Sequence, residues 1–267
     1  MPNLDDLQWD YLEGDGDFRS EEVKKLRDEA DIIITNPPFS LFREFLAWIV
    51  EANKQFIIIG NINCVTYKEV FPLIKDNKVW MGYSIHSGDR EFGVPDEYPL
   101  EASGTRIDEN GKKYIRVKGV RWYTNIDHGH RHSAKNFMTM ADNIKFSKHK
   151  EVQGRPYQHF DNFDAIEVPY TDAIPCDYEG MMGVPISFKY CPEQFEIMGI
   201  TQSWFGMASK IYPKQIQVGK NGKKTVVTKL NDGAAIELPG PDDGEVYYIV
   251  DGHYYTKAYA RILIRKK

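Results

Sequence analysis

The sequence is poor in cysteine and lacks long hydrophobic runs. Its three cysteines, Cys64, Cys176 and Cys191, are far apart and form no CxxC pair, so they signal neither a disulfide framework nor a zinc site. No window approaches the roughly 18 to 20 uninterrupted apolar residues of a membrane span. The N-terminus, MPNLDDLQWD, has neither the basic nor the apolar segment of a leader. These absences predict a soluble, cytoplasmic protein with no membrane partner and no metal.

A uniform sign of charge is also missing, although the net charge is -5. Residues 101–150 hold 11 Lys/Arg against 5 Asp/Glu, and residues 201–267 hold 11 against 6, while residues 1–100 and 151–200 are net acidic. Two basic blocks can meet in one face that binds a polyanion such as nucleic acid. The alternative left open by charge alone is that both blocks are solvated surface.

The first 78 residues alternate strand and helix signals. LQWDYLEGDGDF predicts a short strand ending near residues 14–17, and Ser20 is a candidate N-cap for a helix through about Leu26. DIIITN and QFIIIGN are apolar runs typical of buried parallel strands. The segment between them, SLFREFLAWIVEAN, has helical apolar spacing with Ser40 as its cap, and TYKEVFPLIKDN predicts a shorter helix. This order favours a doubly wound α/β sheet.

After about residue 78 the sequence changes to short aromatic-rich runs with turn signals. Hairpins are predicted at residues 109–111 and within VGKNGKKTVVTKL, and a strand at the closing AYARILIRKK. The predicted fold class is therefore α/β, with a partial doubly wound (Rossmann-like) sheet followed by a mainly β region. We place the boundary between residues 1–127 and residues 128–267.

The turn Asn36-Pro37-Pro38-Phe39 directly follows the DIIITN strand, at the edge where open α/β sheets bind ligands. The prolines restrict their own φ and the residues before them, so the turn is stiff. Such a turn can aim the Asn36 side chain and the Pro37 carbonyl at one point. If both oxygens accept N–H bonds from an aromatic amine, the nitrogen lone pair is freed and oriented for attack. Phe39 would stack on the ring that carries the amine.

This turn resembles motif IV of the adenine-specific methyltransferases, which use S-adenosylmethionine. The resemblance implies that Asn36, Pro37, Pro38 and Phe39 are the catalytic turn, and that Asn36 also contacts the cofactor. FIIIGNINCV is similar to the strand and turn of motif VI.

Two neighbouring motifs extend the resemblance. Asp17-Phe18 looks like motif III, which implies that these residues hold the adenine ring of the cofactor; the alternative is a simple turn. VRWYTN looks like motif VIII, which implies stacking of the target base on Trp122, or less favourably on Tyr123, together with Phe39. The alternative is that both are core or hairpin aromatics.

Over nearly the whole chain, segments such as ADIIITNPPFSLFREFLAWI, VRWYTNIDH, FDAIEVP and YARILIRKK resemble the EcoRI-type adenine-specific DNA methyltransferases. That family methylates the N6 amine of adenine in double-stranded DNA in restriction–modification systems. Its members rotate the target base out of the stack, which requires a stacking pocket and a basic surround. The second region, residues 128–267, is then the expected target-recognition region.

The sequence departs from the family pattern in one respect. The cofactor-binding glycine motif that precedes motif III has no counterpart, since EASGTRID at residues 101–108 reads as a turn. We therefore expect a fragment, or one part of a split enzyme with a separate cofactor-binding subunit or an N-terminal segment. The alternatives are a catalytically inactive DNA-binding remnant, or the same amine chemistry on RNA adenine or a protein glutamine amide; the large strand-rich region favours DNA.

The run DHGHRH at residues 127–132 alternates histidines, but no matching Cys or carboxylate pattern follows, so a phosphate-contacting or solvated loop is favoured over a metal site. The predicted contacts to the DNA backbone are basic residues in or just after this segment and at the second hairpin tip: Arg131, Lys135, Lys220, Lys223 and Lys224. For the hairpin tip, a solvated turn is an equal alternative.

Overall fold

The computed structural model describes residues 11–83, 90–101, 104–242 and 244–267. The helices are α1 (Glu21–Glu29), α2 (Phe42–Glu51), α3 (Phe71–Lys75) and α4 (Met140–Phe146). The strands are β1 (Ile32–Thr35), β2 (Gln55–Asn61), β3 (Trp80–Met81), β4 (Arg90–Val94), β5 (Thr105–Ile107), β6 (Lys113–Val117), β7 (Val120–Thr124), β8 (Ala165–Glu167), β9 (Met181–Pro185), β10 (Phe195–Ile200), β11 (Gln215–Val218), β12 (Lys224–Val227), β13 (Ala235–Leu238), β14 (Tyr247–Val250), β15 (His253–Lys257) and β16 (Arg261–Lys266). None of the helices in these ranges is long and apolar enough to cross a membrane.

The strands form four sheets, with orders β1-β2-β7-β3, β10-β16-β9-β8, β12-β11-β14-β15-β13 and β4-β6-β5. In the first sheet β1 and β2 are parallel, whereas β7 pairs antiparallel with β2 and with β3. The mixed α/β class with a strand-rich second part is confirmed. The doubly wound order is not established, because the described strands of this sheet contain a single parallel pair.

The helix and strand predictions of the first part are largely confirmed. In α1 the Ser20 hydroxyl accepts the Val23 N–H at 3.2 Å, as expected of an N-cap. The predicted Ser40 cap of α2 is wrong, because residues 39–41 form a 3-10 turn and Leu41 precedes the helix. The turn places the start of α2 after the proline pair and leaves Ser40 inside the 3-10 segment.

Two other local predictions differ from the structure. Residues 11–17 form no strand, and residues 7–10 of the predicted strand lie outside the described ranges. The helix predicted in TYKEVFPLIKDN is only the short α3, because Pro72 sits in its first turn and has no N–H to extend the helix backwards.

Both hairpins and the closing strand are confirmed. Ile107 pairs with Lys113 across the first tip, where Gly111 adopts a φ of 80°, and Val218 pairs with Lys224 across the second. Strand β16 lies between β9 and β10, so it is a central strand of the second sheet. Of the segment at residues 101–108, residues 102–103 lie outside the described ranges and the rest includes β5.

One large buried cluster runs from Phe18 through the first sheet to Ile264 in β16, so it crosses the proposed boundary at residue 127. Its centre in the first part is α2, which lies on the β2 face that carries Phe56 and Ile58. The Phe42 ring approaches the backbone of Gly60 so closely that a Cβ there would lie 2.4 Å from a ring carbon. Glycine at this position therefore permits the helix to sit flat on the sheet.

We expect Gly60→Ala to destabilise the protein by about 1 to 3 kcal/mol, because the new methyl group would push the Phe42 ring and α2 away from β2. Gly240→Ala is the matched control, since nothing lies within 4 Å of a Cβ at that glycine. The measurement is urea unfolding of both variants. Equal stability of the two would contradict the close approach of Phe42 to β2.

A buried ion pair joins the edge strand β8 to the central strand β16. The Glu167 carboxylate accepts from the Arg261 guanidinium at 2.6 Å and 2.9 Å, and the two side chains are only 11% and 13% exposed. Burial raises the pKa of Glu167, and the charge of Arg261 opposes this shift. The pair is thus interdependent, since either charge alone would be buried without compensation.

Arg261→Met should cost about 3 kcal/mol of folding free energy, because it leaves the Glu167 carboxylate buried and unpaired. The control is Arg265→Met, which breaks the exposed pair with Glu196 and should cost well under 1 kcal/mol. The double variant Glu167→Leu, Arg261→Met should regain most of the loss. Denaturant midpoints measure all three, and a loss in the double variant as large as in Arg261→Met would contradict the uncompensated-charge explanation.

Candidate functional site

The proline turn presents Asn36 at the carboxyl end of β1. Pro37 is buried and anchors the turn, while Asn36 on one side of it and Pro38 on the other are exposed. Pro38 has φ −55° and ψ 129°, and its carbonyl accepts the Leu41 N–H at 2.9 Å, which starts the 3-10 segment. The result is a rigid corner between strand and helix that projects one amide side chain outward.

The Asn36 carboxamide has no hydrogen-bond partner among the residues that the structure describes. Phe39, which starts the 3-10 segment, keeps 37% of its surface exposed although it is a large apolar residue. Both side chains are thus open to a ligand. A carboxamide oxygen beside an exposed aromatic ring suits an amine carried on a flat ring.

The register of the first sheet places Trp122 of β7 at the same level as the proline corner. Thr35 is level with Ile58, and the next residue of β2, Ile59, pairs with Trp122. Trp122 is therefore two strand spacings from the Asn36 row, roughly 10 Å. Its backbone is fixed by the Gly82 N–H, which donates to the Trp122 carbonyl at 2.9 Å, and its side chain is half-buried.

Tyr123 has a different position from Trp122. It is fully buried, its hydroxyl donates to the Asn61 carbonyl at 2.8 Å, and its ring lies 5.1 Å from that of Phe42. Burial raises the pKa of this phenol well above its usual range. Tyr123 is a core residue with no face free for a base, so the expectation of stacking on it is corrected and only Trp122 and Phe39 keep that candidate role.

Asp17 and Phe18 form a turn in front of α1 rather than the end of a strand. Hydrogen bonds from the Arg19 side chain lower the pKa of Asp17 to about 2, and the Arg19 N–H also donates to this carboxylate at 2.9 Å. Phe18 is buried, with ring contacts of 5.2 Å to Phe45 and 5.5 Å to Trp48. The Phe18 ring is therefore occupied by the core. The Asp17 carboxylate, although ion-paired, stays partly exposed, and its contact with a cofactor remains a prediction.

Arg131 is not a surface residue, so its predicted contact with the DNA backbone is wrong. Only 6% of its side chain is exposed, and its guanidinium lies 3.7 Å from the centre of the Trp80 ring. It is also paired with Asp127 at 3.1 Å and hydrogen-bonded to Asn77. Nothing in the local sequence signals this burial, because Arg131 stands between two histidines in a polar run.

The other predicted basic contacts remain predictions. Lys223 and Lys224 are exposed at the tip between β11 and β12, whereas Lys220 is paired with Glu245 at 2.8 Å. Lys135 is half-buried beside Phe188, and burial lowers the pKa of its amine. The hairpin tip joins two strands of the third sheet, whereas Lys135 precedes α4.

The three histidines of residues 128–132 serve different contacts. His130 stacks on Tyr83 with ring centres 3.5 Å apart, while burial lowers the pKa of His128. His132 contacts Glu193 at 2.6 Å and Asp127 at 2.9 Å, and these hydrogen bonds raise its pKa. His132 thus links the segment after β7 to the segment before β10.

Protonated His132 should stabilise the fold below its ordinary pKa of 6.5, and the stabilisation should disappear as pH rises through the raised folded-state pKa. We expect the Tm difference between wild type and His132→Gln to be larger at about pH 6 than at about pH 9. His253→Gln, which removes a histidine that contacts one exposed carboxylate, Glu237, is the control and should show less change. A difference independent of pH would exclude an ionic role of His132.

Two residues near the histidine segment at residues 128–132 were not indicated by the sequence. Tyr83 and Lys189 meet where the first sheet contacts the second part, with the Lys189 amine donating to the Tyr83 carbonyl at 3.1 Å. Lys189 is one of only two basic residues in the acidic block of residues 151–200. Its proximity to the first sheet depends on tertiary folding alone.

Comparisons with known proteins agree with this picture. The model of a family described as adenine-specific methyltransferase EcoRI matches residues 1–267. The chain is 44% identical over 197 residues to the type II methyltransferase M.EcoRI of Escherichia coli, a match that covers 73% of this chain and 58% of that protein. No solved structure matches the chain significantly.

Two further relatives are type II methyltransferases of mycoplasmas. M.MgeORF184P of Mycoplasma genitalium is 37% identical over 260 residues, covering 96% of this chain and 71% of that protein. M.MpnI of Mycoplasma pneumoniae is 34% identical over 191 residues, covering 70% of this chain and 57% of that protein. The chain therefore spans somewhat more than half the length of the Escherichia coli and Mycoplasma pneumoniae relatives.

Proposed function

The chain belongs to the EcoRI family of adenine-specific methyltransferases, and on this basis we propose that it serves methyl transfer from S-adenosylmethionine to the N6 amine of adenine in double-stranded DNA, as in restriction–modification systems. The observation that carries the proposal is the exposed Asn36 carboxamide on its rigid proline corner. Relatives described as type II methyltransferases support the reaction class.

In this proposal the protein orients the acceptor amine. The Asn36 side-chain oxygen and the Pro37 carbonyl each accept one N–H of the adenine amine, which draws the nitrogen toward tetrahedral geometry and directs its lone pair outward. Phe39 stacks on the flipped base, and Trp122 closes the site from β7. The cofactor, when bound, supplies an activated methyl group.

The residues present fit only part of a cofactor site. Asp17 and Asn36 are the candidate contacts, but the Asp17 carboxylate already accepts three hydrogen bonds from Arg19, and the Phe18 ring is in the core. The sequence contains no strand followed by a glycine turn and a helix that would cradle the donor. We therefore assign the acceptor side of the reaction to this chain.

We further propose that a cofactor-holding segment, either an N-terminal segment or a separate subunit, covers β1 and extends the sheet in doubly wound order. Among the described strands, β1 pairs only with β2, and on its outer face Ile32 and Ile34 are 46% and 70% exposed. The half-buried Ile57 and Ile59 continue this apolar face on β2. Exposed apolar surface of this kind favours a covering partner.

A specific observation favours a second candidate, a DNA-binding protein that does not transfer methyl groups. The glycine turn is lacking in the sequence, whereas the strand-rich second part and its basic segments do not depend on it. This candidate predicts duplex binding without cofactor binding. RNA adenine and a protein glutamine amide remain alternative acceptors, and the strand-rich part favours DNA over both.

Transfer from tritiated S-adenosylmethionine to an adenine-containing duplex tests the proposal. We expect little transfer by the chain alone, and recovery when the part of the Escherichia coli relative outside the match is added. In that mixture Asn36→Ala should reduce transfer about 100-fold, because the amine loses its orienting acceptor, while duplex binding is unchanged.

Asn110→Ala is the matched control, since Asn110 is an exposed asparagine in the loop between β5 and β6. It should transfer as wild type does. Undiminished transfer by Asn36→Ala would refute the role of Asn36. Duplex binding without transfer in any mixture would support the second candidate, and equal transfer to an RNA acceptor would redirect the proposal to RNA.

A further inference from the structure

A small cavity lies where the first sheet meets the second sheet. Its walls come from α3 and β3, from the histidine segment at residues 128–132, and from β10 and β16. The cavity has a volume of about 60 Å³. Such a space holds about four water molecules, or one aromatic ring of similar bulk. We call it the seam cavity, and its lining includes Val79, Trp80, His128, Arg131, Tyr190 and Ile262.

Two lining residues of the seam cavity hold three buried polar atoms that have no hydrogen-bond partner in the described ranges: Nδ1 and Nε2 of His128 and Nε of Arg131. Burial lowers the pKa of His128, and the charge of Arg131 lowers it further, so the imidazole is neutral at neutral pH. The Met81 backbone opposes this shift without meeting hydrogen-bond geometry. A neutral imidazole carries one donor and one acceptor. Two donors and one acceptor are therefore unmet at the cavity.

The other contacts of the Arg131 guanidinium hold it in one orientation. One terminal nitrogen donates to Asp127 at 3.1 Å, the other donates to Asn77, and the group lies 3.7 Å from the centre of the Trp80 ring. The Nε–H of Arg131 is thus a fixed donor without an acceptor among the described residues. An unmet buried donor or acceptor destabilises the free protein, and a ligand that satisfies it removes this cost. The unmet atoms therefore point to a ligand with complementary hydrogen-bonding groups.

The walls of the seam cavity suit a flat ring. Trp80, Phe188 and Tyr190 supply aromatic surface. Apolar walls with a few convergent polar groups are typical of small-molecule sites. A single ring with carbonyl and N–H groups in its plane can accept from Arg131 Nε and form a hydrogen bond with His128 while its faces contact the walls. Pyrimidine bases such as thymine have this combination, whereas a purine has two fused rings and needs more space.

We propose that the seam cavity binds one pyrimidine base, with Arg131 and His128 as its polar contacts. The base has two chemical sources, a free pyrimidine nucleoside or a thymine of bound DNA. The second source rests on the proposed function, because extrusion of a target adenine leaves its thymine unpaired. The register of the sheet favours this source, since Met81 of the cavity lining pairs with Tyr123, the neighbour of Trp122 in β7. A cavity so placed would hold the partner base while the proline corner receives the adenine.

NMR of the full chain with isotope-labelled histidines tests the proposal. The probes are thymidine and an adenine-containing duplex, each without added cofactor. We expect thymidine to shift the ring signals of His128, which are assigned by their loss in His128→Phe. This variant should bind thymidine about 10-fold more weakly than wild type, because a hydrogen bond to the base is lost. His253→Phe is the matched control and should bind as wild type does, since His253 contacts Glu237 on the third sheet and lies outside the cavity lining.

Thermal unfolding of the same variants separates lost binding from misfolding. Removal of the unmet atoms of His128 should leave the Tm of the free protein unchanged or raised. Thymidine should raise the Tm of wild type and of His253→Phe, but hardly that of His128→Phe. If His128→Phe does not fold, His128→Gln, which keeps a donor and an acceptor, assigns the ring signals, and the shift in wild type decides.

The duplex distinguishes the two sources of the base. A His128 shift that disappears when the thymines opposite its adenines are replaced by abasic residues supports a thymine of DNA. A shift with thymidine alone supports a free nucleoside. No His128 shift with either probe overturns the proposal, with water as the remaining occupant, and leaves the proposed function standing. Conversely, failure of methyl transfer in the reconstituted mixture, with the thymidine shift retained, refutes the proposed function and leaves the seam cavity as a pyrimidine site.

Discussion

The contact between the Phe42 ring and the bare backbone of Gly60 sets the geometry of the proline corner at residues 36–39. It allows α2 to lie directly on β2, with the Phe42 ring also against Tyr123 of β7. Helix α2 begins one short 3-10 turn after the proline pair. The position of α2 on the sheet therefore determines the orientation of the proline corner. Within this corner Pro37 is buried and Asn36 is exposed.

Antiparallel pairing of β7 with β2 brings Trp122 and Arg121 to the end of the sheet where β1 also ends, although they are more than 80 residues from Asn36 in the sequence. Alternation along β7 leaves Tyr123 in the core and Trp122 on the opposite face. The buried cluster then continues across residue 127, so the proline corner and the strand-rich part are held in a fixed relative position. The proposed function requires such rigidity, because one surface would hold the DNA while another would receive a single base.

Local signals in the sequence were enough to predict most elements of the first part and to suggest a chemistry for the proline corner. Apolar periodicity and turn residues placed α1, α2, β2 and both hairpins, because those signals act over a few neighbouring residues. The stiffness of two consecutive prolines after a strand is equally local. The family also followed from the sequence, since its motifs are short runs with little dependence on context.

Which side chains are available to a ligand became clear only in the folded chain. Arg131 and Tyr123 looked like surface candidates but are buried, whereas Lys189 carried no signal in an acidic block and lies beside Tyr83. Burial and long-range charge depend on which strands become neighbours. Contacts between residues about 50 to more than 100 positions apart leave no periodicity in the sequence, so the position of Lys189 beside Tyr83 could not be predicted from it.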